Sequence, residues 1–230
     1  MTKDFAQFEK AVGLDFKDKA LLKQAFIHRS YLNENRGTSL EHNERLEFLG
    51  DAVLELIVTD YLFKKYPGKP EGELTSFRSA LVNSTALSAA AVKLGINEYL
   101  LLSRGESKDI GRARTYILAN TFEALLGAIY LDSGYEAAQA FVASHIFDLI
   151  DDIVEKGAWI DAKSNFQEMA QERTGITPSY KTMKEVGPDH DKHFTVGVYL
   201  GNDLAATGDG ASKQEAEQNA AKKGLETKGW

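Results

Sequence analysis

The sequence predicts two unlike domains: an all-α domain, then a small α+β domain with the order α-β-β-β-α and a three-stranded antiparallel sheet. From Leu21 to about Ile153, apolar residues recur at the spacing of amphipathic helices. At 194–200 apolar and polar residues alternate strictly instead, which is the period of a half-buried strand. The capping-box sequence Ser-Lys-Gln-Glu at 212–215 then predicts a final helix.

The helical spacing places the elements of the first domain near residues 4–12, 18–30, 43–65, 73–94, 113–131 and 135–155. In the second domain, a helix is predicted near 164–173 and strands near 180–186, 194–200 and 204–207. Gly201-Asn202-Asp203 is typical of a hairpin turn between the last two strands. We expect the first domain at 1–155, a linker at 156–160 and the second domain at 161–230.

Composition excludes several classes of protein. With 43% hydrophobic and 27% charged residues, the chain resembles a globular protein rather than a disordered one. It has no apolar run of about 18 residues and no apolar leader, so we expect a cytoplasmic protein without a membrane partner. The absence of cysteine excludes disulfides and thiolate chemistry. The net charge of −7 requires any polyanion to be held by locally placed cations or by metal ions.

The strongest chemical signal is an acidic stripe in the third predicted helix. Glu44, Glu47, Asp51 and Glu55 follow one another at offsets of 0, 3, 7 and 11, which places them on one face. Like charges four residues apart destabilise a helix by about 0.2–0.5 kcal/mol per pair, and Gly50 costs about 1 kcal/mol relative to Ala. The stripe is either a solvated charged face or a binding site.

A second segment favours the binding site. Residues 117–130 are so apolar that they predict a buried helix, yet Asn120 and Glu123 lie one turn apart within it. A buried carboxylate requires a partner. Oxygen donors on two facing helices suit Mg²⁺, which is a hard, octahedral cation.

These segments carry a specific resemblance. Residues 43–54 resemble the signature of the ribonuclease III family, and residues 118–131 resemble that family's second metal-binding helix. Supporting matches are 26–31, 72–75 with Arg78, and 102–106. The remainder resembles a double-stranded-RNA-binding domain. The resemblance implies a metal-dependent endoribonuclease that cleaves double-stranded RNA to 5′-phosphate products with short 3′ overhangs, in rRNA and mRNA processing.

Carried over by residue, the resemblance places the metal ligands at Glu47, Asp51, Asn120 and Glu123, hereafter the donor set. It implies catalytic roles for Asp51 and Glu123, a supporting acidic role for Glu44, and Mg²⁺ as the cofactor, with Mn²⁺ as a substitute. The family usually has Asp where this chain has Asn120, a neutral ligand. The alternative reading is therefore a double-stranded-RNA-binding protein with impaired or absent cleavage.

The resemblance also implies partners. It predicts a homodimer in which the Phe48 side chain inserts into the other subunit, and it places double-stranded RNA against four residues of the second domain: Gln167, Gln171, His190 and Lys213. His28 is either a general base or a structural histidine. A third reading, an acidic helical interaction protein, would have to treat both acidic segments and the α-β-β-β-α tail as coincidence.

Overall fold

A computed structural model describes residues 3–155, 161–188 and 192–230. The chain divides into two compact units, Met1–Trp159 and Ile160–Trp230. The linker predicted at 156–160 lies outside the described residues. In the described ranges, no helix combines the length and the hydropathy needed to cross a membrane.

The first unit is helical. Its helices are α1 Phe5–Val12, α2 Lys19–Ala25, α3 Arg29–Glu34, α4 Glu44–Lys65, α5 Glu71–Val82, α6 Ser84–Lys93, α7 Ile96–Tyr99, α8 Arg112–Ser133, α9 Tyr135–His145 and α10 Leu149–Glu155, with a 3₁₀ turn at Glu106–Lys108. The helices predicted at 18–30, 73–94 and 135–155 are each divided in two. Asn83 explains the second division, because its backbone is extended (ψ 159°) and its side chain accepts a hydrogen bond from the Ala86 N–H at 2.9 Å, which caps α6.

Helix α8 forms the centre of this unit. Eleven of its residues are buried, among them Phe122 and Leu125, and α2, α4, α6 and α9 pack around it. The start of α4 is fixed by buried Asn43, whose side-chain amide donates to the Ala25 carbonyl at 3.0 Å and whose backbone N–H donates to Ile27 at 2.9 Å. The acidic stripe therefore begins at an anchored point and runs along the central helix.

The second unit confirms the predicted α+β fold. Its elements are α11 Ala162–Thr174, β1 Ser179–Val186, β2 His193–Leu200, β3 Asp203–Gly210 and α12 Lys213–Lys228. The three antiparallel strands lie in the order β1-β2-β3, and Phe166 and Val198 lie in the core between the helices and the sheet. Strand β3 continues beyond the predicted 204–207, because Gly208 and Gly210 provide close packing under α12 rather than a strand end; a Cβ atom on Gly208 would lie 2.1 Å from the Ala220 nitrogen.

Candidate active site

The acidic stripe of α4 divides into paired and unpaired carboxylates. Glu44 lies 3.4 Å from the Arg29 guanidinium, and Glu55 lies 4.0 Å from that of Arg78. Between them, Glu47 and Asp51 form no ion pair with a Lys or Arg within the part of the chain that the structure describes. The stripe is therefore neutralised at both ends and carries uncompensated negative charge at its centre.

Helix α8 presents Asn120 and Glu123 to this centre. Both are half-buried, and the Asn120 side-chain amide lies close enough to the Glu47 carboxylate to lower its pKa. Burial raises the pKa of Glu123 to about 8, and the charges of Asp51 and Glu47 act in the same direction. The structure thus brings together the four residues of the donor set, which come from two helices far apart in the sequence.

Like Glu123, Glu47 lies in surroundings that disfavour its negative charge. Burial raises the pKa of Glu47, the charges of Glu44 and Asp51 raise it further, and the Asn120 side-chain amide partly offsets them. In the described part of the chain, no three His, Asp or Glu side chains lie close enough together to hold a metal ion by themselves. The donors present are three carboxylates and one amide, which suits a hard divalent cation that retains some of its water.

His28 has a structural role in this fold. Its Nδ1 lies 2.8 Å from Ser30 Oγ and accepts a hydrogen bond from the Ser30 N–H, which caps α3. Burial lowers the pKa of His28. Ser30 Oγ also accepts from the Ser103 N–H at 3.1 Å. Through Ser30, this cap thus connects α3 to the segment around Ser103, a link between distant parts of the chain that no local sequence signal could reveal.

Phe48 lies on an exposed apolar strip of α4. Its side chain is 81% exposed, and Leu56 and Phe63 on the same helix are 58% and 70% exposed. At 100° per residue these three side chains fall within about 80° of arc. The sequence reasoning identified Phe48 and missed the other two, although their spacing was visible. Beside Phe63, a cleft of about 410 Å³ opens between α4 and α5.

The predicted RNA contacts in the second unit have different surroundings. Gln167 is exposed on α11, and the Gln171 side chain donates to Thr177 Oγ1 at 3.1 Å. Lys213 is exposed at the start of α12, with its ammonium 3.9 Å from Glu185 and 5.6 Å from the centre of the Phe194 ring. His190 lies outside the described residues. The capping box forms as predicted, since Ser212 Oγ accepts from the Glu215 N–H.

Comparison with known proteins agrees with this architecture. A ribonuclease-III-like family model matches residues 18–150, and a double-stranded RNA binding motif matches residues 162–228. The chain is 46% identical over 214 residues to a protein named ribonuclease 3 from Pelotomaculum thermopropionicum, covering 93% of this chain and 89% of the relative. It is 47% identical over 221 residues to the protein of that name from Borreliella burgdorferi, covering 96% and 89%.

A solved structure extends the comparison to the fold. The nuclease domain of ribonuclease III from Campylobacter jejuni aligns with a TM-score of 0.57 and 37% sequence identity, covering 63% of this chain and 97% of that domain. Fold, site geometry and these similarities lead to one assignment. The chain belongs to the ribonuclease III family of double-strand-specific endoribonucleases and carries a double-stranded-RNA-binding domain after its nuclease domain.

Proposed function

We propose that this endoribonuclease depends on Mg²⁺, for which Mn²⁺ substitutes, and that the donor set holds the cation. One observation carries the proposal: the Arg-paired ends of the α4 stripe enclose carboxylates without a cationic side chain, opposite the oxygen donors of α8. An isolated cluster of partly buried carboxylates is unfavourable, whereas a bound divalent cation turns the same cluster into a binding site.

When bound, Mg²⁺ activates water and neutralises charge on the scissile phosphate. The chain's own residues would bind the cation and fix its position. Asp51 and Glu123 act as the catalytic pair, and Glu47 and Asn120 complete the donor set. Glu44 is a supporting carboxylate, and its contact with Arg29 holds it at the edge of the site. Burial raises the pKa of the Glu123 carboxyl, so this carboxyl would have to give up a proton in order to hold the cation.

The second domain supplies recognition of the duplex. Double-stranded RNA is recognised by shape, through 2′-hydroxyls in the minor groove and phosphates across the intervening major groove. We assign the groove contacts to Gln167, Gln171 and His190, and a phosphate contact to Lys213. We place the nuclease domain at 1–155 and the RNA-binding domain at 161–230. The products carry 5′-phosphates and short 3′ overhangs, and the enzyme processes rRNA and mRNA in the cytoplasm.

We further propose a two-fold homodimer along α4. If two α4 helices pair in antiparallel orientation, the midpoint between Phe48 and Phe63 falls next to Leu56. Phe48 of one protomer then faces the cleft beside Phe63 of the partner subunit. That cleft is lined in part by Leu62 and Leu74, which makes it suitable for an aromatic ring. The related Campylobacter jejuni domain has a region described as involved in dimer formation.

Asn120 supports a second candidate function, the binding of duplex RNA with impaired or no cleavage. A neutral amide leaves the site one charge short of four carboxylates. At a separation of about 6 Å and an effective dielectric near 20, each pair of charges interacts by about 3 kcal/mol before desolvation. The missing charge is a substantial loss, but three carboxylates remain.

Incubating the full chain with a long RNA duplex, with and without Mg²⁺, distinguishes the two functions. We expect shortening of the duplex that requires the cation. Glu123→Gln should abolish this cleavage while leaving metal-free duplex binding intact, because it removes a ligand charge from a site already one charge short and touches no residue of the second domain. Glu55→Gln is the matched control, since Glu55 lies on the same stripe but is paired with Arg78. Duplex shifts without any cleavage by the parent protein would favour the second function.

A further inference from the structure

Helices α4 and α8 cross more closely than side chains normally allow. A Cβ atom on Gly50 would lie 1.8 Å from the Glu123 carbonyl oxygen, and a Cβ atom on Gly127 would lie 2.2 Å from the Leu46 carbonyl oxygen. Heavy atoms that are not bonded prefer separations of about 3.5–4.0 Å. The two backbones are therefore in direct contact, and neither position accepts a larger residue without movement of the opposite helix.

Each glycine faces the turn of the other helix that carries metal donors. Gly50 abuts the backbone of Glu123 itself, and Gly127 abuts Leu46, which directly precedes Glu47. We propose that Gly50 and Gly127 are positioning residues, whose bare backbones set the separation of α4 and α8 at which the donor set can hold one Mg²⁺. The inference rests on the proposed metal site and extends it to two residues that touch neither cation nor RNA.

The magnitudes support a positioning role. Accommodating a Cβ atom at either glycine would move the helices apart by roughly 1.5–2 Å to reach ordinary contact. Metal sites tolerate deviations of about 0.2 Å in ligand distance. The glutamates of the donor set can follow such a movement through their longer side chains, whereas Asp51 and Asn120 have few rotatable bonds. A shift of this size therefore removes donors from reach.

Helix propensity leads to the same conclusion. Glycine is a poor helix former, yet both residues lie inside 22-residue helices, Glu44–Lys65 and Arg112–Ser133. Gly72, within α5, has no atom within 4 Å of a Cβ position, so that glycine is not required by packing. The glycines at the crossing differ because a ligand-bearing backbone occupies the space of their missing side chains.

Two cations provide the test. Mg²⁺ requires nearly octahedral geometry at 2.0–2.1 Å, whereas Ca²⁺ accepts flexible geometry at 2.3–2.6 Å. In the full chain without RNA, we would measure the rise in melting temperature on titration with each cation, for the parent protein and for Gly127→Ala. For Gly127→Ala, we expect the Mg²⁺ concentration required for this rise to increase at least tenfold. The required Ca²⁺ concentration should increase by less than a third of that factor.

Two control variants separate positioning from damage to the fold. Gly72→Ala has open space around its new methyl group and should leave both titrations unchanged. Gly224→Ala places a Cβ atom 2.7 Å from the Phe166 ring in the second unit. This variant should lower the melting temperature of that unit. The ratio of the required Mg²⁺ and Ca²⁺ concentrations should stay as in the parent.

Each outcome bears on one claim. If the parent protein responds to neither cation, the proposed metal site fails. If the parent responds and Gly127→Ala retains the parent's ratio of Mg²⁺ to Ca²⁺ requirement, the positioning role is overturned. Should Gly127→Ala be unfolded without metal, its refolding is titrated instead: refolding at lower Ca²⁺ than Mg²⁺ concentrations supports the role, and refolding by neither cation or by both equally overturns it.

Discussion

Asn120 is a residue at which the resemblance implies a departure from the family pattern. Its amide lowers the pKa of Glu47 and so offsets part of the cost that burial and the charges of Glu44 and Asp51 impose on that carboxylate. In the proposed metal site, the same amide would offer the cation a neutral oxygen instead of a charged one. This residue would thus trade metal affinity for stability of the metal-free protein.

Asn120→Asp should reverse this trade. A fourth carboxylate should lower the Mg²⁺ concentration needed for half-maximal cleavage and raise the cleavage rate. The metal-free variant should melt at a lower temperature and gain more from added Mg²⁺, because a further buried charge is costly without a cation. Titrations of cleavage and of melting temperature measure both effects. If neither changes, position 120 does not contact the cation, and the donor set is misassigned there.

A second residue-scale prediction concerns His145. Burial lowers its pKa, and its ring packs edge-on against Phe141 at 4.8 Å. As pH falls below about 6.5, the unfolded chain takes up this proton before the folded chain does, so the free energy of unfolding decreases. Between pH 7.5 and 5.5 we expect the melting temperature of the parent to fall further than that of His145→Gln, by on the order of 2 °C. Equal declines would contradict the prediction.

At the scale of single residues, the sequence suggested which side chains carry chemistry, and it missed the contacts that hold their neighbours. The donor set was proposed because carboxylates and an amide in apolar helices are unusual. The pairing of Glu44 with Arg29 and of Glu55 with Arg78 depends on tertiary contacts between helices. The role of His28 as a cap depends likewise on a loop conformation that the residue types alone do not determine.

At the scale of elements, α4 carries two features on adjacent faces. Glu47 and Asp51 lie near Asn120 and Glu123 of α8. The exposed strip of Phe48, Leu56 and Phe63 faces away from the protein core. Pairing through the strip in a two-fold dimer would bring two acidic stripes near one another, as cleavage of both strands of a duplex requires.

Phe48→Ala tests this pairing. A hot-spot residue worth about 2 kcal/mol corresponds to a roughly 30-fold change in the dissociation constant. Because both protomers lose the ring, the dimer dissociation constant should increase by at least this factor, and by up to roughly 1,000-fold if the two losses add. Sedimentation over a range of protein concentrations measures it. Helical content should not change, because the side chain is exposed. Ile110→Ala, which removes another exposed side chain, should leave the dimer intact. An unchanged dissociation constant for Phe48→Ala would exclude the strip as the interface.

Two elements differ from what the hydrophobic periodicity of the sequence predicts. Helical spacing continues through 73–94 without Pro or Gly, so a single helix was the natural prediction. The break comes from the Asn83 side chain, which competes for a backbone N–H and starts a new helix. In β3, glycines were read as a strand end because their packing against α12 is a tertiary contact.

At the scale of the whole molecule, the two units have separate cores. Removing residues 156–230 should therefore leave a folded helical dimer. Binding to duplex RNA should weaken, while cleavage at low salt survives, because the donor set and the α4 strip lie entirely in the first unit. Circular dichroism, sedimentation and gel shifts measure the three properties. An aggregated or unfolded truncated protein would refute the proposed division at 1–155.

The central position of α8 determines how the site responds to local opening of the chain. Eleven of its residues are buried, and its crossing with α4 leaves no space between the backbones. Segments with such dense burial exchange their amide hydrogens only through the largest opening events, whereas loops and chain ends exchange through small fluctuations. Asn120 and Glu123 therefore belong to the part of the nuclease unit that opens last. The side chains of Asn120 and Glu123 should therefore keep their positions while peripheral helices fray.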